Sequence, residues 1–141
     1  MNKEQVAIFL CSKTGNMAKP WAENGFTCYC VDLQHPVRSD KIKNYDGGGK
    51  IIYTYGDARY WTVPDRENKN IVFVASFPVC TNMAGSGAQD YSNANGRIPK
   101  KGLPQLMDGL ILFNACYQMA SWSGAPFCTE NPSGVIPTHF R

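Results

Sequence analysis

Residues 71–75 are the stretch that most constrains what this chain can fold into. They read IVFVA, a short uninterrupted apolar run rich in β-branched and aromatic side chains. Such a run is typical of a strand that is covered on both faces, as in the middle of a parallel sheet. FPVC follows, so Cys80 stands just past the carboxyl end of this strand. Open α/β sheets bind their ligands at that position.

The rest of the chain alternates between predicted strands and predicted helices. Strands are predicted over residues 5–11, 26–31, 51–55, 71–76 and 126–129. A helix is predicted over residues 17–24, with Asn16 as its N-cap and Gly25 after its end. A second helix starts with Pro104 in its first turn and ends at Gly124. This alternation predicts one α/β domain, residues 1–141, with a mostly parallel sheet and helices on both faces.

The second helix carries one apolar stripe at helical spacing, which we expect to pack on the sheet. The stripe consists of Leu106, Leu110, Phe113, Tyr117 and Ala120. Three other segments are polar or rich in glycine. Residues 33–50 are predicted to form a loop, residues 65–70 a surface turn or one helical turn, and residues 89–103 a long functional loop.

Composition and charge exclude several classes of protein. The chain is 43% hydrophobic, which is enough for a core, and its formal net charge of +3 is compatible with a nucleic-acid partner without being diagnostic of one. Its start does not resemble a signal peptide, and no apolar run approaches the length of a membrane span. We therefore expect a cytoplasmic protein with no membrane partner.

The six cysteines do not predict a metal site or a disulfide framework. Cys28 and Cys30 are one residue apart in a predicted strand, so they point to opposite faces. No second cysteine pair with finger-like spacing follows them. We expect no bound metal, and we expect most of the cysteines to be small buried apolar residues, with Cys80 as the exception.

The residues that follow the five predicted strands have the character of a binding site. They are Ser12 to Gly15, Asp32, Asp57, Cys80 and Glu130. In a parallel sheet these strand ends face the same side. A nucleotide-type ligand could lay a polar group on the first turn and a ribose on Asp32.

In this order, the strand-end segments resemble those of the DNA cytosine-5 methyltransferases and their short phage and bacterial relatives. FLCSKTGNMAKPWAENGF resembles the cofactor loop of that family, VD at Asp32 its ribose acid, and YGDAR at Asp57 its adenine acid. FPVCTNMAGSGA resembles the proline–cysteine nucleophile loop, and TENPSG resembles the Glu-Asn motif. The matches run from about Phe9 to Gly134, which is most of the chain.

The sequence departs from the family pattern in three places. Lys13 stands where the cofactor loop usually has its first glycine, and Val79 separates Pro78 from Cys80. The later arginine motif, the final strands and the target-recognition region have no counterpart before Arg141. The resemblance therefore implies a sheet that is incomplete at its C-terminal end. Its apolar edge would be covered by a second copy of the chain or by a partner.

The resemblance implies a Rossmann-like methyltransferase fold that uses S-adenosylmethionine to methylate carbon 5 of cytosine, in DNA or in a nucleotide, in a bacterial cell or phage host. The implied cofactor-binding residues are Ser12, Thr14, Gly15, Asn16, Asp32, Leu33, Asp57, Ala58, Phe77 and Pro78. The implied catalytic residues are Cys80 as nucleophile, Glu130 as the acid on the ring nitrogen, and Asn131. The implied nucleic-acid contacts are Arg97, Lys100 and Lys101.

Each of these residues also has a structural explanation. A cysteine such as Cys80 is often a buried apolar residue, and Asp32 and Asp57 are ordinary residues for strand ends and turns. The loop cations are compatible with a solvated surface. The alternative function is therefore a catalytically reduced methyltransferase fold that binds a cofactor, a nucleic acid or a protein partner.

Overall fold

The computed structural model describes residues 2–81 and 101–130, and these residues form one six-stranded sheet with helices packed against it. The strands are β1 (Glu4–Leu10), β2 (Thr27–Asp32), β3 (Lys41–Asn44), β4 (Lys50–Tyr55), β5 (Lys69–Ser76) and β6 (Phe127–Thr129). The helices are α1 (Lys19–Glu23) and α2 (Leu103–Ser123), and a single 3-10 turn covers Arg66–Asn68.

The sheet is mostly parallel, as the alternating pattern predicted. Its strand order is β3-β4-β2-β1-β5-β6. Each neighbouring pair is parallel except β3 and β4, which are antiparallel. The chain adds strands to one side of β1 up to β4 and then continues on the other side with β5. The order therefore reverses between β1 and β5, which is the topological switch point of an open α/β sheet.

Alternate residues of the central strand β1 enter two separate apolar clusters. Ile8 packs in a cluster with Cys116 and Ala120 of α2, whereas Phe9 packs in a cluster with Ala22 of α1. Successive side chains of a strand point to opposite faces of the sheet. The two clusters therefore lie on opposite faces, and the prediction of helices on both faces is confirmed.

Residues 33–50 are not one loop, because they contain the edge strand β3. All four of its residues are exposed, and two of them are Lys41 and Lys43. A short, charged, fully exposed edge strand carries no apolar alternation, so its amino-acid pattern does not distinguish it from a loop. Lysines on an edge also disfavour pairing with another chain. The glycines that follow form a tight turn, in which Tyr45 N–H donates to Gly49 O at 2.9 Å.

The first helix is shorter than predicted, and Asn16 is not its N-cap. The N-cap position is Ala18, which makes no side-chain capping bond, and Pro20 lies in the first turn. Proline fits this position because its missing N–H would lack a helical partner there. Gly25 follows the helix with φ of +92°, as expected for a glycine after a helix end.

The buried face of α2 is rotated from the predicted stripe towards smaller residues. It consists of Gly109, Phe113, Cys116 and Ala120. Leu106 and Leu110 are only half-buried. Tyr117 is 37% exposed and makes an edge-to-face contact with Phe127 of β6, with ring centroids 5.8 Å apart. Small residues allow the helix to approach the sheet more closely than large ones would.

The strand β6 is the other edge of the sheet within the described residues, where it pairs with β5 alone. Its Phe127 is 41% exposed. An association that covers this edge, by a second copy or by a partner, stays a prediction.

Two further sequence predictions agree with the structure. Gly124 ends α2 with φ of +71°, and the segment 65–70 contains a single 3-10 turn at Arg66–Asn68.

An ion pair ties the amino end of β1 to β5. The ammonium group of Lys69 donates to the Glu4 carboxylate, and Thr27 Oγ1 donates to Glu4 Oε1 at 2.6 Å. Lys69 is buried, whereas the Glu4 side chain is 39% exposed. The hydrogen bonds from Lys69 and Thr27 hold the pKa of Glu4 below its usual value of 4.5.

We expect the Glu4→Gln variant to lose ~1 kcal/mol of stability at neutral pH, a value kept small because Glu4 is partly exposed. Since the folded-state pKa of Glu4 is lowered, its contribution is present above the unfolded-state pKa and is lost as pH falls through the folded-state value. The acid sensitivity of urea unfolding below about pH 4.5 should therefore be weaker in this variant. Glu67→Gln, in the exposed 3-10 turn, is the control. Equal pH profiles for native and Glu4→Gln protein would contradict the role of the pair.

Candidate functional site

The five parallel strands end at one edge of the sheet, and backbone hydrogen bonds join their ends. The donor and acceptor pairs, across neighbouring strands, are Gly56 N to Asp32 O (3.3 Å), Ser12 N to Val31 O (3.1 Å), Phe77 N to Leu10 O (3.0 Å) and Glu130 N to Ser76 O (3.0 Å). The segments that follow the five strands therefore start side by side. We refer to this side as the carboxyl edge.

The turn after β1 is held by two residues that the sequence analysis did not select. His35 Nε2 lies 3.1 Å from Ser12 O, and Tyr53 Oη donates to Thr14 O at 3.4 Å. The His35 and Tyr53 rings also meet edge to face, with centroids 5.4 Å apart. Gly15 has φ of +71°, and a Cβ there would lie 2.8 Å from Tyr53 Oη. Glycine is therefore required both by the backbone and by the tyrosine above it.

A pocket of about 310 Å³ opens beside this turn at the switch point. It is lined by Cys11, Ser12, Lys13, Thr14, Asn16, Met17 and Phe77. Four of the lining residues were predicted to bind the cofactor, namely Ser12, Thr14, Asn16 and Phe77. Phe77 belongs to the segment after β5, and the other three lie after β1. Pockets of this size are typical of small-ligand sites. Lys13 is exposed at the rim.

Asp32 is the last residue of β2 and Leu33 follows it, next to the turn after β1. The Asp32 side chain is half-buried, and its Oδ1 accepts the Gln34 N–H at 2.8 Å, which fixes the carboxylate. Leu33 is 56% exposed. The exposed Leu33 side chain can contact a planar ring of a ligand, and the Asp32 carboxylate can accept hydrogen bonds from its hydroxyl groups. Neither residue is among those that line the 310 Å³ pocket, and their role in cofactor binding stays a prediction.

Asp57 and Ala58 follow β4, and both already have partners in the fold. The Arg59 guanidinium bonds the Asp57 carboxylate, with Nη2 to Oδ2 at 2.6 Å and Nε to Oδ1 at 3.0 Å. The hydrogen bonds from Arg59 hold the pKa of Asp57 below its usual value. Ala58 is buried in the cluster on the α2 face, so it lies outside the 310 Å³ pocket. These two predicted cofactor residues are therefore separate from the main pocket.

The segment after β5 carries Cys80 three residues beyond Phe77, and Cys80 itself is not among the residues that line the 310 Å³ pocket. Phe77 packs on the cluster that faces α1 as well as lining the pocket, and Pro78 is buried. Cys80 is half-buried, whereas Val79 is 59% exposed. The extra residue between Pro78 and Cys80 is accommodated by turning its side chain to solvent.

Lys101 contacts the same segment from the start of α2. Its ammonium group donates to Thr81 O at 2.6 Å, one residue after Cys80. The residue was predicted as a phosphate contact, and in this structure it tethers the cysteine loop. The other predicted nucleic-acid residues, Arg97 and Lys100, and most of the predicted loop 89–103, lie outside the described residues.

Glu130 is the last of the described residues, and it lies beside the end of β5. Its backbone N–H bonds Ser76 O, and the neighbouring Thr129 Oγ1 is 2.8 Å from Ser76 Oγ. Glu130 is exposed. Within the described residues, therefore, Glu130 lacks the burial that an acid on a cytosine ring needs. Asn131, the third predicted catalytic residue, lies outside the described residues.

Over residues 2–81 and 101–130, no group of three or more His, Cys, Asp or Glu side chains is placed to hold a metal ion. No helix in the same residues is both long enough and apolar enough to cross a membrane.

Comparisons with known proteins do not add a family to this picture. No protein-family model matches the sequence, and neither the curated proteins nor the solved structures include a significant match.

Proposed function

We propose that this chain binds S-adenosylmethionine at the carboxyl edge of its sheet and transfers a methyl group to carbon 5 of cytosine, in DNA or in a nucleotide. The observation that carries the proposal is that the segment bearing Cys80 also contributes a residue to the lining of the pocket. Phe77 lines the 310 Å³ pocket together with Ser12 and Thr14, and it stands three residues before Cys80. A methyl donor in this pocket would lie beside the segment that carries the candidate nucleophile.

The strand order supports this proposal. Counted along the chain, the parallel strands are arranged third, second, first, fourth and fifth across the sheet. This is the order of doubly wound, Rossmann-like sheets, which bind nucleotide-containing ligands at the switch point. The pocket lies at the switch point, because its lining comes from the segments after β1 and β5. The methyltransferase form of this fold is part of the proposal.

The residues at the edge fit the parts of S-adenosylmethionine. The fixed Asp32 carboxylate can accept hydrogen bonds from the ribose hydroxyls, and the exposed Leu33 side chain offers an apolar contact for adenine. Ser12 and Thr14 border the pocket that would take the methionine part, and Gly15 keeps the adjoining turn tight. The exposed Lys13 stands at the rim of this pocket. Asp57 could bind the adenine amino group only by sharing its carboxylate with Arg59.

Cys80 would supply the nucleophile that the chemistry of cytosine needs. Its thiolate adds to carbon 6 of the ring, and the electron pair displaced from the double bond makes carbon 5 nucleophilic. S-Adenosylmethionine, when bound, supplies an electrophilic methyl group. Glu130 would hold a proton on the ring nitrogen during the addition. Loss of the carbon 5 proton to a base then expels the Cys80 thiolate and restores the ring.

A duplex substrate would have to present its cytosine outside the helix stack. The segment after Cys80 would occupy the space that the base leaves, and Arg97, Lys100 and Lys101 would contact phosphates. Lys101 already bonds Thr81 O, so its proposed role also includes positioning the cysteine loop.

Two observations favour the alternative function, a binding module without catalysis. Glu130 is exposed, and the Asp57 carboxylate is already paired with Arg59. A module of this kind would keep the pocket and the Asp32 contact but would leave cytosine unmodified. A module that binds the cofactor would share the cofactor prediction with the enzyme and differ from it in the chemistry of Cys80, whereas a module for a nucleic acid or a protein partner would not need the cofactor.

The cofactor prediction can be tested on Asp32. We expect Asp32→Ala to weaken S-adenosylmethionine binding by ~1–3 kcal/mol, because the variant loses charge-assisted hydrogen bonds to the ribose. Isothermal titration calorimetry measures this change. Asp46→Ala is the matched control, since it removes the same charge from an exposed turn at the opposite edge of the sheet. Equal affinities for native and Asp32→Ala protein would place the cofactor elsewhere. A native chain that does not bind the cofactor would contradict the methyltransferase and leave only a module for a nucleic acid or a protein partner.

A further inference from the structure

His35 stands on a turn that closes directly behind Asp32. The His35 N–H donates to Asp32 O at 3.3 Å, and the Gln34 N–H donates to Asp32 Oδ1 at 2.8 Å. The imidazole of His35 is buried, and its Nε2 lies 3.1 Å from Ser12 O. The turn that fixes the Asp32 carboxylate therefore also reaches the turn after β1.

The bond to Ser12 determines which nitrogen of the imidazole carries the proton. A backbone carbonyl oxygen only accepts hydrogen bonds, so His35 Nε2 is the donor and is protonated. The ring is also held by its edge-to-face contact with Tyr53, whose ring centroid is 5.4 Å away. Because the bond is buried, loss of the donor would remove this partner of Ser12 O in a place that water reaches poorly.

Tyr53 makes a second contact with the same turn, from β4. Its hydroxyl donates to Thr14 O at 3.4 Å, and a Cβ at Gly15 would lie 2.8 Å from its oxygen. The bonds from His35 and Tyr53 thus fall on alternate carbonyl groups of the turn. In a trans peptide the N–H points opposite to the C=O. The N–H groups of Lys13 and Gly15 therefore point away from the two rings.

The pocket lies along this turn, and the two rings are not part of its lining. Ser12 and Thr14 line the 310 Å³ pocket, whereas His35 and Tyr53 do not. A ligand in the pocket would therefore contact the turn and not the rings. An effect of either ring on ligand binding has to pass through the shape of the turn.

We propose that His35 and Tyr53 are positioning residues of the ligand site, which hold the turn after β1 in the shape that receives the methionine part of S-adenosylmethionine. His35 also ties this turn to the one that carries Asp32, so that one ligand meets both at a fixed spacing. Both residues act through the backbone of Ser12 and Thr14. This role rests on the proposed function, because the ligand is S-adenosylmethionine.

Calorimetry with two ligands separates positioning of the turn from a general loss of the fold. Adenosine would contact Asp32 but lacks the methionine part. We expect His35→Leu to weaken S-adenosylmethionine binding by about 10-fold and Tyr53→Phe by about 3-fold, the range for loss of one hydrogen bond. Adenosine affinity should stay within about twofold of native in both variants, because Gln34 still fixes the Asp32 carboxylate.

Two further variants are the controls. His35→Gln keeps an N–H donor near the position of Nε2 and should bring S-adenosylmethionine affinity back to within about threefold of native. Tyr45→Phe removes a hydroxyl from another tyrosine that packs on the same apolar cluster as Tyr53, and it should bind like native protein. Circular dichroism checks that each variant is folded.

The position of the proton on His35 can be measured in the free chain by nuclear magnetic resonance. At about pH 8, long-range ¹H–¹⁵N spectra should show the neutral His35 ring protonated at Nε2 and not at Nδ1. The chain has two histidines, and the signals that disappear in His35→Gln protein belong to His35.

Three results would overturn the positioning role alone while native protein binds S-adenosylmethionine. They are equal S-adenosylmethionine affinities for native and His35→Leu protein, a loss of adenosine affinity as large as that of S-adenosylmethionine, and a neutral His35 ring protonated at Nδ1. A native chain that does not bind S-adenosylmethionine would contradict the proposed methyltransferase and this role together.

Discussion

Replacing Cys80 with serine is expected to abolish methyl transfer to cytosine while leaving S-adenosylmethionine affinity unchanged. A serine hydroxyl is not ionised near neutral pH and is a far weaker nucleophile than a thiolate, so addition to carbon 6 fails. Loss of a covalent nucleophile lowers rates by roughly 10³-fold or more. The pocket that we propose for the cofactor is lined by Phe77 and not by Cys80, which is why binding should survive.

The measurement is transfer of labelled methyl groups to a cytosine-containing oligonucleotide, with calorimetry of the cofactor on the same samples. Cys128→Ser is the control, because Cys128 is exposed on the edge strand β6, and no residue of β6 lines the 310 Å³ pocket. It should transfer methyl groups at the native rate. Comparable rates for native and Cys80→Ser protein would show that the cytosine-5 mechanism does not apply.

Replacing Gly49 with alanine should cost ~3 kcal/mol or more in stability. A Cβ at this position would lie 2.0 Å from Ala22 O and 2.7 Å from Phe26 O. Both atoms belong to the backbone, so no side chain can rotate away to relieve the overlap. The turn would have to separate from the end of α1 and from the start of β2.

Gly48→Ala is the matched control for this prediction. A Cβ there meets nothing within 4 Å, but φ is +86°, so its cost is conformational and on the order of 1 kcal/mol. Urea unfolding of both variants measures the difference. Equal destabilisation by the two variants would mean that only the backbone conformation requires glycine in this turn. It would contradict the claim that a side chain at position 49 overlaps the backbone of α1.

The strands of the parallel sheet were predictable because their apolar runs are continuous or alternate. β1, β2, β4, β5 and β6 all lie within two residues of their predicted bounds. β3 was not predictable, since an exposed four-residue edge strand has no apolar side to reveal it. The rotation of α2 was missed for a related reason. Periodicity selects large apolar residues such as Tyr117, whereas close packing on the sheet selects the small residues Gly109 and Cys116.

The location of the site was predictable from topology, because parallel strands end at one edge. The partners of the site residues were not predictable. His35 and Tyr53 reach the turn after β1 from 23 and 39 residues away in sequence, and only the folded sheet brings them there. The Asp57–Arg59 pair is local, and the YGDAR segment could have revealed it had the arginine been considered as a partner for the acid.

The covalent step of the proposed reaction can be observed directly with an oligonucleotide that contains 5-fluorocytosine. Fluorine replaces the hydrogen that must leave carbon 5, so the reaction would stop after methyl transfer with the base still bonded to Cys80. With S-adenosylmethionine present, mass spectrometry of the native chain should show one adduct, equal to the chain plus the methylated oligonucleotide, and peptide mapping should place it on Cys80. Native protein that binds both ligands but forms no adduct, or an adduct that persists in the Cys80→Ser variant, would contradict the proposed function.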